Sequence, residues 1–386
     1  MAADAFRAEV RDWIADHFPP ALAGRGVPTD DEVLDEDRLA WRGAFGATGW
    51  GVPTWPTAYG GAGLERAEAR VIAQELAAAG AYNPIGGMGV IMLGPTLLEY
   101  GTELQKLRHL PPIARGEIRW CQGFSEPGAG SDLASLQCRA EDRGDHFLLN
   151  GQKIWTSYAD LADWCFCLVR TDTSKKQGGI SFVLFDMRQP GVDVRPIRLI
   201  SGDSPFCETF LTDVRAEKED LVGELNGGWG IAKRLLQHER SAISDSGDIM
   251  AGGVSLVEIA REAVGLDDDG RLADPDLRAR IIHNEMEQKL VELTLARVAA
   301  EARAGHVGGT ASSILKNAGV RAFQDRAELI VETKGLQGLG WEGDGFSEQE
   351  LTLVREWLHG KAWSIFGGSD EVQNNIIAKQ ILGLPS

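Results

Sequence analysis

HFLLNGQKIWTS, residues 146–157, places two short apolar strings on either side of Asn150-Gly151. Asn-Gly between alternating apolar residues is the strongest local hairpin signal, because a tight two-residue turn needs positive φ at both positions. The stretch therefore predicts two strands joined by a turn. Three more strand-length runs follow, each bounded by turn residues: DWCFCLVRTD (163–172), GISFVLFDM (179–187) and PFCETFLTDVRA (205–216). No helical period separates them, so an antiparallel barrel or sandwich is expected here.

Outward from this block the period changes. DEVLDEDRLAWRGAFGATGW (31–50) and LERAEARVIAQELAAAG (64–80) carry apolar residues at three-to-four spacing, with Gly49 and Gly80 suited to helix ends. GVPTWPTAYGGAG (51–63) reads as a loop, and GGMGVIMLGPTLLEYG (86–101) as a buried helix start. After the strands, helical period returns in GGWGIAKRLLQHERSAI (227–243), in 277–305, in 308–335 and in GGSDEVQNNIIAKQILG (367–383). The order is α, β, α, without a repeat of solenoid period.

The chain has 386 residues, 57 acids against 39 bases and a net charge of −18. Such an acidic chain repels nucleic acid and anionic membranes, so neither is an expected partner. No apolar run reaches the length of a membrane span, and the charged, amphipathic start MAADAFRAEVRDW does not resemble a secretory signal. A cytoplasmic location is expected. Five cysteines, an odd number, do not suggest a disulfide framework. Cys165 and Cys167 share one strand face and read as small buried apolar residues, since no second cysteine pair completes a metal site.

Several local patterns mimic chemistry. GLGWEG (338–343) matches a dinucleotide fingerprint letter for letter, but a helical pattern precedes it where a strand is required. His283 and Glu287 stand at i, i+4 without a third ligand, and no metal site is expected. The acidic runs at 267–270 and 30–38 read as solvated loops or helix starts.

QGFSEPGAGSD, residues 122–132, is different: small residues whose amides allow a flat or anionic ligand to approach, with Ser125 and Ser131 adding hydroxyls. Trp155 follows at the end of the strand block. Two readings of this local pattern stand, a ring such as a flavin held against backbone, or a tight loop beside a core tryptophan.

FSEPGAGSD (124–132) followed by GDHFLLNGQKIWTS (144–157) resembles the signature segment of acyl-CoA dehydrogenases, flavoproteins that introduce a 2,3-double bond into an acyl-CoA thioester. LVGELNGGWGIAK (221–233) and IFGGSDEVQNNIIAKQILGLP (365–385) extend the resemblance along nearly the whole chain. CQGFSEPGAGSDLASL (121–136) and ADWCFCLVRTD (162–172) look most like the large subunits of pimeloyl-CoA-type dehydrogenases. The resemblance implies an α+β fold: an N-terminal helical domain (1–118), a middle antiparallel β-barrel or sandwich domain (119–222) and a C-terminal four-helix bundle (223–386). It also implies FAD. Gln122, Phe124, Ser125, Trp155 and Ser157 should surround the isoalloxazine, and Gly130 and Ser131 should lie by the pyrophosphate. Ser131 should also lie near the substrate's pantetheine arm. Ser369 and Glu371 match positions that reach the adenosine half of a neighbouring subunit's FAD.

Most of the family keeps its catalytic glutamate immediately before a Gly-Thr in the last motif. Gly367 occupies that position here, a substrate-side residue unable to take a proton. A smaller group keeps the base within a Glu-Arg pair on the first helix of the bundle, and LLQHERSAI puts Glu239 and Arg240 there. Ile231, Leu235 and Glu239 lie at i, i+4 and i+8, one helical face, so Glu239 is the expected base and His238, about 100° around the helix, is not. A second departure is the missing Arg-x-x-Phe-Gly stretch, whose arginine binds the neighbour's FAD; 260–281 is acidic instead, and the usual glutamine that follows is displaced by Lys334 or its neighbours. The implied partners are an acyl-CoA, electron-transfer flavoprotein, and either copies of the chain as dimer or homotetramer or a second acyl-CoA dehydrogenase-like subunit in a heterotetramer. A flavin monooxygenase or oxidase on the same fold, and a non-catalytic subunit, are the competing readings. The glycines at 86, 87, 89 and 94 fit either a roomy acyl pocket or helix packing.

Overall fold

The computed structural model describes residues 2–28, 33–245, 255–303 and 311–385. It separates into two compact units, Met1–Ile197 with Pro205–His238, and Arg198–Ser204 with Glu239–Ser386.

The first unit begins with helices α1 (Ala2–His17), α2 (Glu36–Ala47), α3 (Arg66–Ala78), α4 (Gly94–Tyr100) and α5 (Glu103–Ala114). Their starts follow from side-chain caps: Asp35 accepts the Arg38 amide at 2.9 Å ahead of α2, and Thr102 and Gln105 cap each other ahead of α5. Trp13, Trp41, Phe45 and Trp50 fill the space between helices, with ring centroids 5.0 to 6.4 Å apart. A π-helical turn, Gly89–Leu93, leads into α4. There a Cβ on Gly94 would meet the Trp55 ring at 2.1 Å, and one on Gly89 would meet Trp120 at 3.0 Å. Helix packing therefore accounts for these two glycines, while Gly86 and Gly87 face open space.

Eight strands form one sheet: β1 (Trp120–Gly123), β2 (Arg139–Asp142), β3 (His146–Ser157), β4 (Trp164–Arg170), β5 (Ile180–Asp186), β6 (Val192–Ile197), β7 (Phe206–Glu217) and β8 (Leu221–Val222). Their order is β6-β7-β3-β2-β4-β5-β8, with β1 lying parallel beside β4. The other pairings are antiparallel apart from a single parallel bridge, Arg139 to Arg170.

HFLLNGQKIWTS is one continuous strand, β3, and not the expected hairpin. The Asn150 side chain explains why. Its Oδ1 accepts the Asp213 amide at 3.0 Å and its Nδ2 donates to Asp213 Oδ1 at 2.9 Å, which ties β3 to β7 through a register shift between Leu149 and Gly151. The bulge lies on β7, where Thr212 and Asp213 stand opposite Asn150, and Asp213 takes left-handed backbone at φ 51°. The actual turn between β2 and β3 lies at 143–145, where Gly144 takes φ 92° and the Arg143 amide donates to the His146 carbonyl at 2.9 Å.

Strands β4 and β5 are buried on both faces, which is why they read as continuous apolar runs. Cys165, Cys167 and Val169 point into one core with Phe147, Leu149 and Val183. Phe166 and Leu168 point the other way, into the core shared with the N-terminal helices. Helix α6 (Gly228–Asp245) starts hard against β5, where a Cβ on Gly228 would meet the Ser181 carbonyl carbon at 2.5 Å. Ile231 and Leu235 on α6 are buried in that same core.

The second unit holds α7 (Leu256–Val264), α8 (Pro275–Arg303), α9 (Ala311–Thr333), α10 (Glu348–Gly360) and α11 (Asp370–Ile376). Leu256, Ile259, Leu277, Ile281, Leu329 and Ile330 form its core. The buried Asn284 amide fastens α8 to α9 through the Ala322 carbonyl at 2.8 Å. GLGWEG begins in the last two residues of a 3-10 turn, Gly335–Leu339, and runs on toward α10, so it is a helix-terminating loop and no dinucleotide fingerprint. Among the described residues no helix is long and apolar enough to cross a membrane.

Phe166, fully buried, stacks on Phe182 at 6.0 Å and meets the edge of Phe124 at 6.0 Å. Phe166→Ala should lower unfolding stability by about 3–5 kcal/mol, measured by urea denaturation.

Candidate functional site

The two acids of the 122–132 loop are both engaged by the protein. Glu126 turns inward. Its carboxylate accepts the Gln137 amide at 2.6 Å, the Cys138 amide at 2.9 Å and the Lys153 ammonium at 2.7 Å. Asp132 accepts the Ser135 hydroxyl at 2.6 Å and Lys176 at 2.8 Å; Lys176 and then Ser135 hold its carboxyl below the usual range. Residues 126–129 close on themselves through the Glu126 amide to Ala129 carbonyl bond at 3.1 Å and its reciprocal at 2.9 Å. Beyond that closure, a Cβ on Gly128 or Gly130 would meet nothing within 4 Å, and Gly130 and Ser131 are exposed. The acidic loop thus offers small residues outward and keeps its charge to itself.

Lys153 sits opposite the loop on β3. Its side chain is 1 % exposed, and its three donors reach Glu126, the Leu168 carbonyl at 2.7 Å and the Phe124 carbonyl at 3.2 Å. Burial pushes the ammonium down, and the neighbouring Cys167 and Cys138 together with Glu126 more than offset this, so the net direction is upward. Lys153 and Lys176 were not among the residues expected at the site. The available signal was a lysine at an inward-facing strand position, in register with buried Phe147 and Leu149 on the same face.

Two residues beyond Lys153 the strand breaks its register, and Trp155 adopts φ 61°. Tyr158 adopts φ 50°. Left-handed backbone at two bulky residues is strained, and such strain persists where surrounding structure enforces it, commonly at functional sites. The consequence is that Trp155 stands 53 % exposed, its ring edge-on to Phe206 at 6.2 Å. It is no core tryptophan. Ser125 is joined to this point, since its carbonyl accepts the Ile154 amide at 2.9 Å. Ser157 ends the strand, and Gln122 lies on β1 beside Phe166 of β4. Phe124 is buried edge-on against Phe166 and Phe182, so only its backbone faces elsewhere.

In the second unit Gly367, Ser369 and Glu371 stand on one tight turn and the start of the helix after it. Gly367 and Gly368 take φ 68° and 97°, and Gln373 clamps the Gly367 carbonyl at 2.7 Å. Ser369 precedes α11 and its carbonyl accepts the Gln373 amide at 2.9 Å. Glu371 is exposed, its carboxylate held below the usual range by its own amide and then by the Ser369 hydroxyl. Lys316, largely buried, donates to the Ser364 carbonyl at 3.2 Å and approaches Asp370 at 3.7 Å; burial pulls its ammonium down. Glu239 belongs to α6, and its side chain, like those of His238 and Arg240, lies outside the described residues.

The family models for the acyl-CoA dehydrogenase N-terminal, middle and C-terminal domains match residues 2–117, 121–214 and 226–382. The chain belongs to the acyl-CoA dehydrogenase family. Acyl-CoA dehydrogenase IpdE1 of Mycobacterium tuberculosis is 38 % identical over 387 residues, covering 98 % of this chain and 97 % of that protein. Among solved structures, the Tcur3481-Tcur3483 steroid ACAD is 30 % identical with a TM-score of 0.78, covering 100 % of this chain and 98 % of that one. The ChsE4-ChsE5 complex from Mycobacterium tuberculosis is 28 % identical with a TM-score of 0.76, over 100 % and 98 %. The fold is therefore that of an acyl-CoA dehydrogenase: a helical N-terminal part, a β-sheet middle part and a helical C-terminal part.

As a member of this family the chain is an FAD-dependent oxidoreductase, and its residues fit the cofactor. The open glycine loop leaves room for phosphate and ring, and the strained, exposed Trp155 offers an aromatic face beside Ser125.

All five cysteines are buried, and none pairs with another as a disulfide. Burial pushes the Cys165 and Cys167 thiols up, the bond to Cys167 and burial raise Cys138 well above its ordinary value, and burial lifts Cys207 to about 11. Among the described residues no group of three or more ligands is placed to hold a metal. A thiol-specific chromogenic reagent should find none of the five thiols in the native protein at about pH 8, and all of them after denaturation.

Proposed function

We propose that this acyl-CoA dehydrogenase takes the C2 proton of its acyl-CoA with Glu239 while the C3 hydride passes to flavin N5. The observation that carries the reading is the face of α6. Ile231 and Leu235, two turns and one turn before Glu239 at helical spacing, are buried, which supports the reading that this face of the helix carries the base. A carboxylate on an apolar face is costly unless function or a partner offsets it, and desolvation beside an acyl chain strengthens it as a base. Gly367 supports the choice: at φ 68° a glutamate would be strained by about 1–2 kcal/mol.

In this reading FAD, when bound, supplies the hydride acceptor. Backbone and hydroxyl groups of Gln122, Phe124, Ser125, Trp155 and Ser157 orient its ring. Gly130 and Ser131 receive the pyrophosphate, with Ser131 and Gly367 beside the substrate. Ser369 and Glu371 serve a neighbouring subunit's adenosine half. Hydrogen bonds to the thioester oxygen stabilise the enolate that forms as Glu239 removes the proton. We place the domain borders at 118/119 and 222/223 and the protein in the cytoplasm, with electron-transfer flavoprotein as acceptor.

Similarity to the Tcur3481-Tcur3483 steroid ACAD and to the ChsE4-ChsE5 complex supports a bulky polycyclic acyl group and assembly with a second acyl-CoA dehydrogenase-like chain. The acidic stretch where the family's FAD-binding arginine stands fits such a partner, which would supply the missing half-site. Open space at Gly86 and Gly87 agrees with a large acyl group.

Glu239→Gln keeps shape and removes basicity. It should leave FAD and acyl-CoA binding nearly intact and slow anaerobic flavin bleaching by about 10²–10⁴-fold. Bleaching at the unaltered rate would show that another residue is the base.

A further inference from the structure

We propose that Lys153 is a positioning residue for the flavin, setting the orientation of the 123–126 backbone from behind. This rests on the FAD reading above. Three consecutive carbonyls of that segment are bonded from within the protein: Gly123 by the Cys167 thiol at 3.1 Å, Phe124 by Lys153 at 3.2 Å and Ser125 by the Ile154 amide at 2.9 Å. In a planar trans peptide the carbonyl and the next N–H point in opposite directions. The Phe124 carbonyl points to Lys153, so the Ser125 N–H points away from it. That donor direction is set by one buried ammonium.

Lys153 also fixes how far the segment can move. It grips the loop twice, by the Phe124 backbone and by the Glu126 carboxylate at 2.7 Å, and anchors both to β4 through the Leu168 carbonyl at 2.7 Å. Glu126 relays the hold to Gln137 and Cys138. No neutral side chain of that length supplies three donors to three acceptors from different segments. Trp155, the exposed ring two residues on, inherits its place from the same anchored strand.

A merely structural ion pair and a positioning residue are separated by removing both charges. Removing Lys153 alone leaves Glu126 buried and unpaired, whereas removing both leaves a neutral pair. Thermal midpoint and FAD dissociation constant are measured on wild type, Lys153→Met and the double variant Lys153→Met/Glu126→Gln. The double variant should regain most of the midpoint lost in Lys153→Met, yet bind FAD at least about tenfold more weakly than wild type. If it regains wild-type FAD affinity together with the midpoint, Lys153 only balances charge and the proposal is overturned. Where Lys153→Met fails to fold, Lys153→Arg keeps the ion pair but relocates its donors; it should also bind FAD about tenfold more weakly, and wild-type affinity there overturns the proposal as well. Failure of wild type to bind FAD would sink the cofactor reading itself, an outcome distinct from an intact wild type with unaffected variants.

Discussion

A lysine and a glutamate inside a β-sheet core are tolerable only in company. Taking two charges out of water costs several kcal/mol each, and their mutual attraction offsets this only with good geometry and with every remaining donor and acceptor satisfied. Lys153 and Glu126 meet that condition: three acceptors surround the ammonium, and two backbone amides complete the carboxylate. The arrangement therefore dictates the path of several segments at once. The 122–132 loop, the entry to β2 at Gln137–Cys138, the middle of β4 and the inward face of β3 must all converge on one point. Apolar residues in the same volume would fill space without imposing this convergence.

The consequences spread along β3. With Lys153 fixed inward, the register shift before Thr156 is taken up by Trp155 in left-handed backbone, which turns its indole out of the sheet. Thr156 then returns to the interior, its hydroxyl buried without a partner among the described residues. A bulky aromatic kept at positive φ and half in solvent is poorly explained by packing, and fits the ring-facing role proposed for it. The thiols belong to the same pattern. Cys165 and Cys167 are small enough to lie under Gly123, where a Cβ would come within 2.9 Å of Cys167 Sγ and 3.0 Å of Cys165 Sγ. Small residues on both sides let β1 lie close on β4.

The helical and strand blocks were legible because each rests on a local period: the two-sided burial of β4 and β5 appears directly as unbroken apolar runs. Asn150-Gly151 misled because its turn signal is local while its use is not; the side chain found Asp213, sixty-three residues away, and the sheet kept the strand straight. The loop's small residues announced an approachable backbone, but nothing local revealed that Glu126 faces inward, since its partner lies on another strand. Lys153 was hidden for the same reason. A buried charge pair is a tertiary fact, and only the sum of two segments shows it.

The chemistry of proton removal constrains a point in space more than a position in the chain. A carboxylate must meet one face of the acyl C2, and any backbone segment that reaches that point can carry it. The 367–368 turn is built for reversal of the chain, with two successive glycines in left-handed backbone and Gln373 closing it from within. A glutamate there would work against the turn. A helix imposes no such conflict: α6 is regular backbone, and its register is fixed by Ile231 and Leu235 in the core and by Gly228 against β5. With the base on the helix, as proposed, the turn is free to keep its glycines. In the proposed mechanism, the two departures in the sequence, a glycine where the family's glutamate stands and a Glu-Arg pair on the helix, are thus one change seen from two ends.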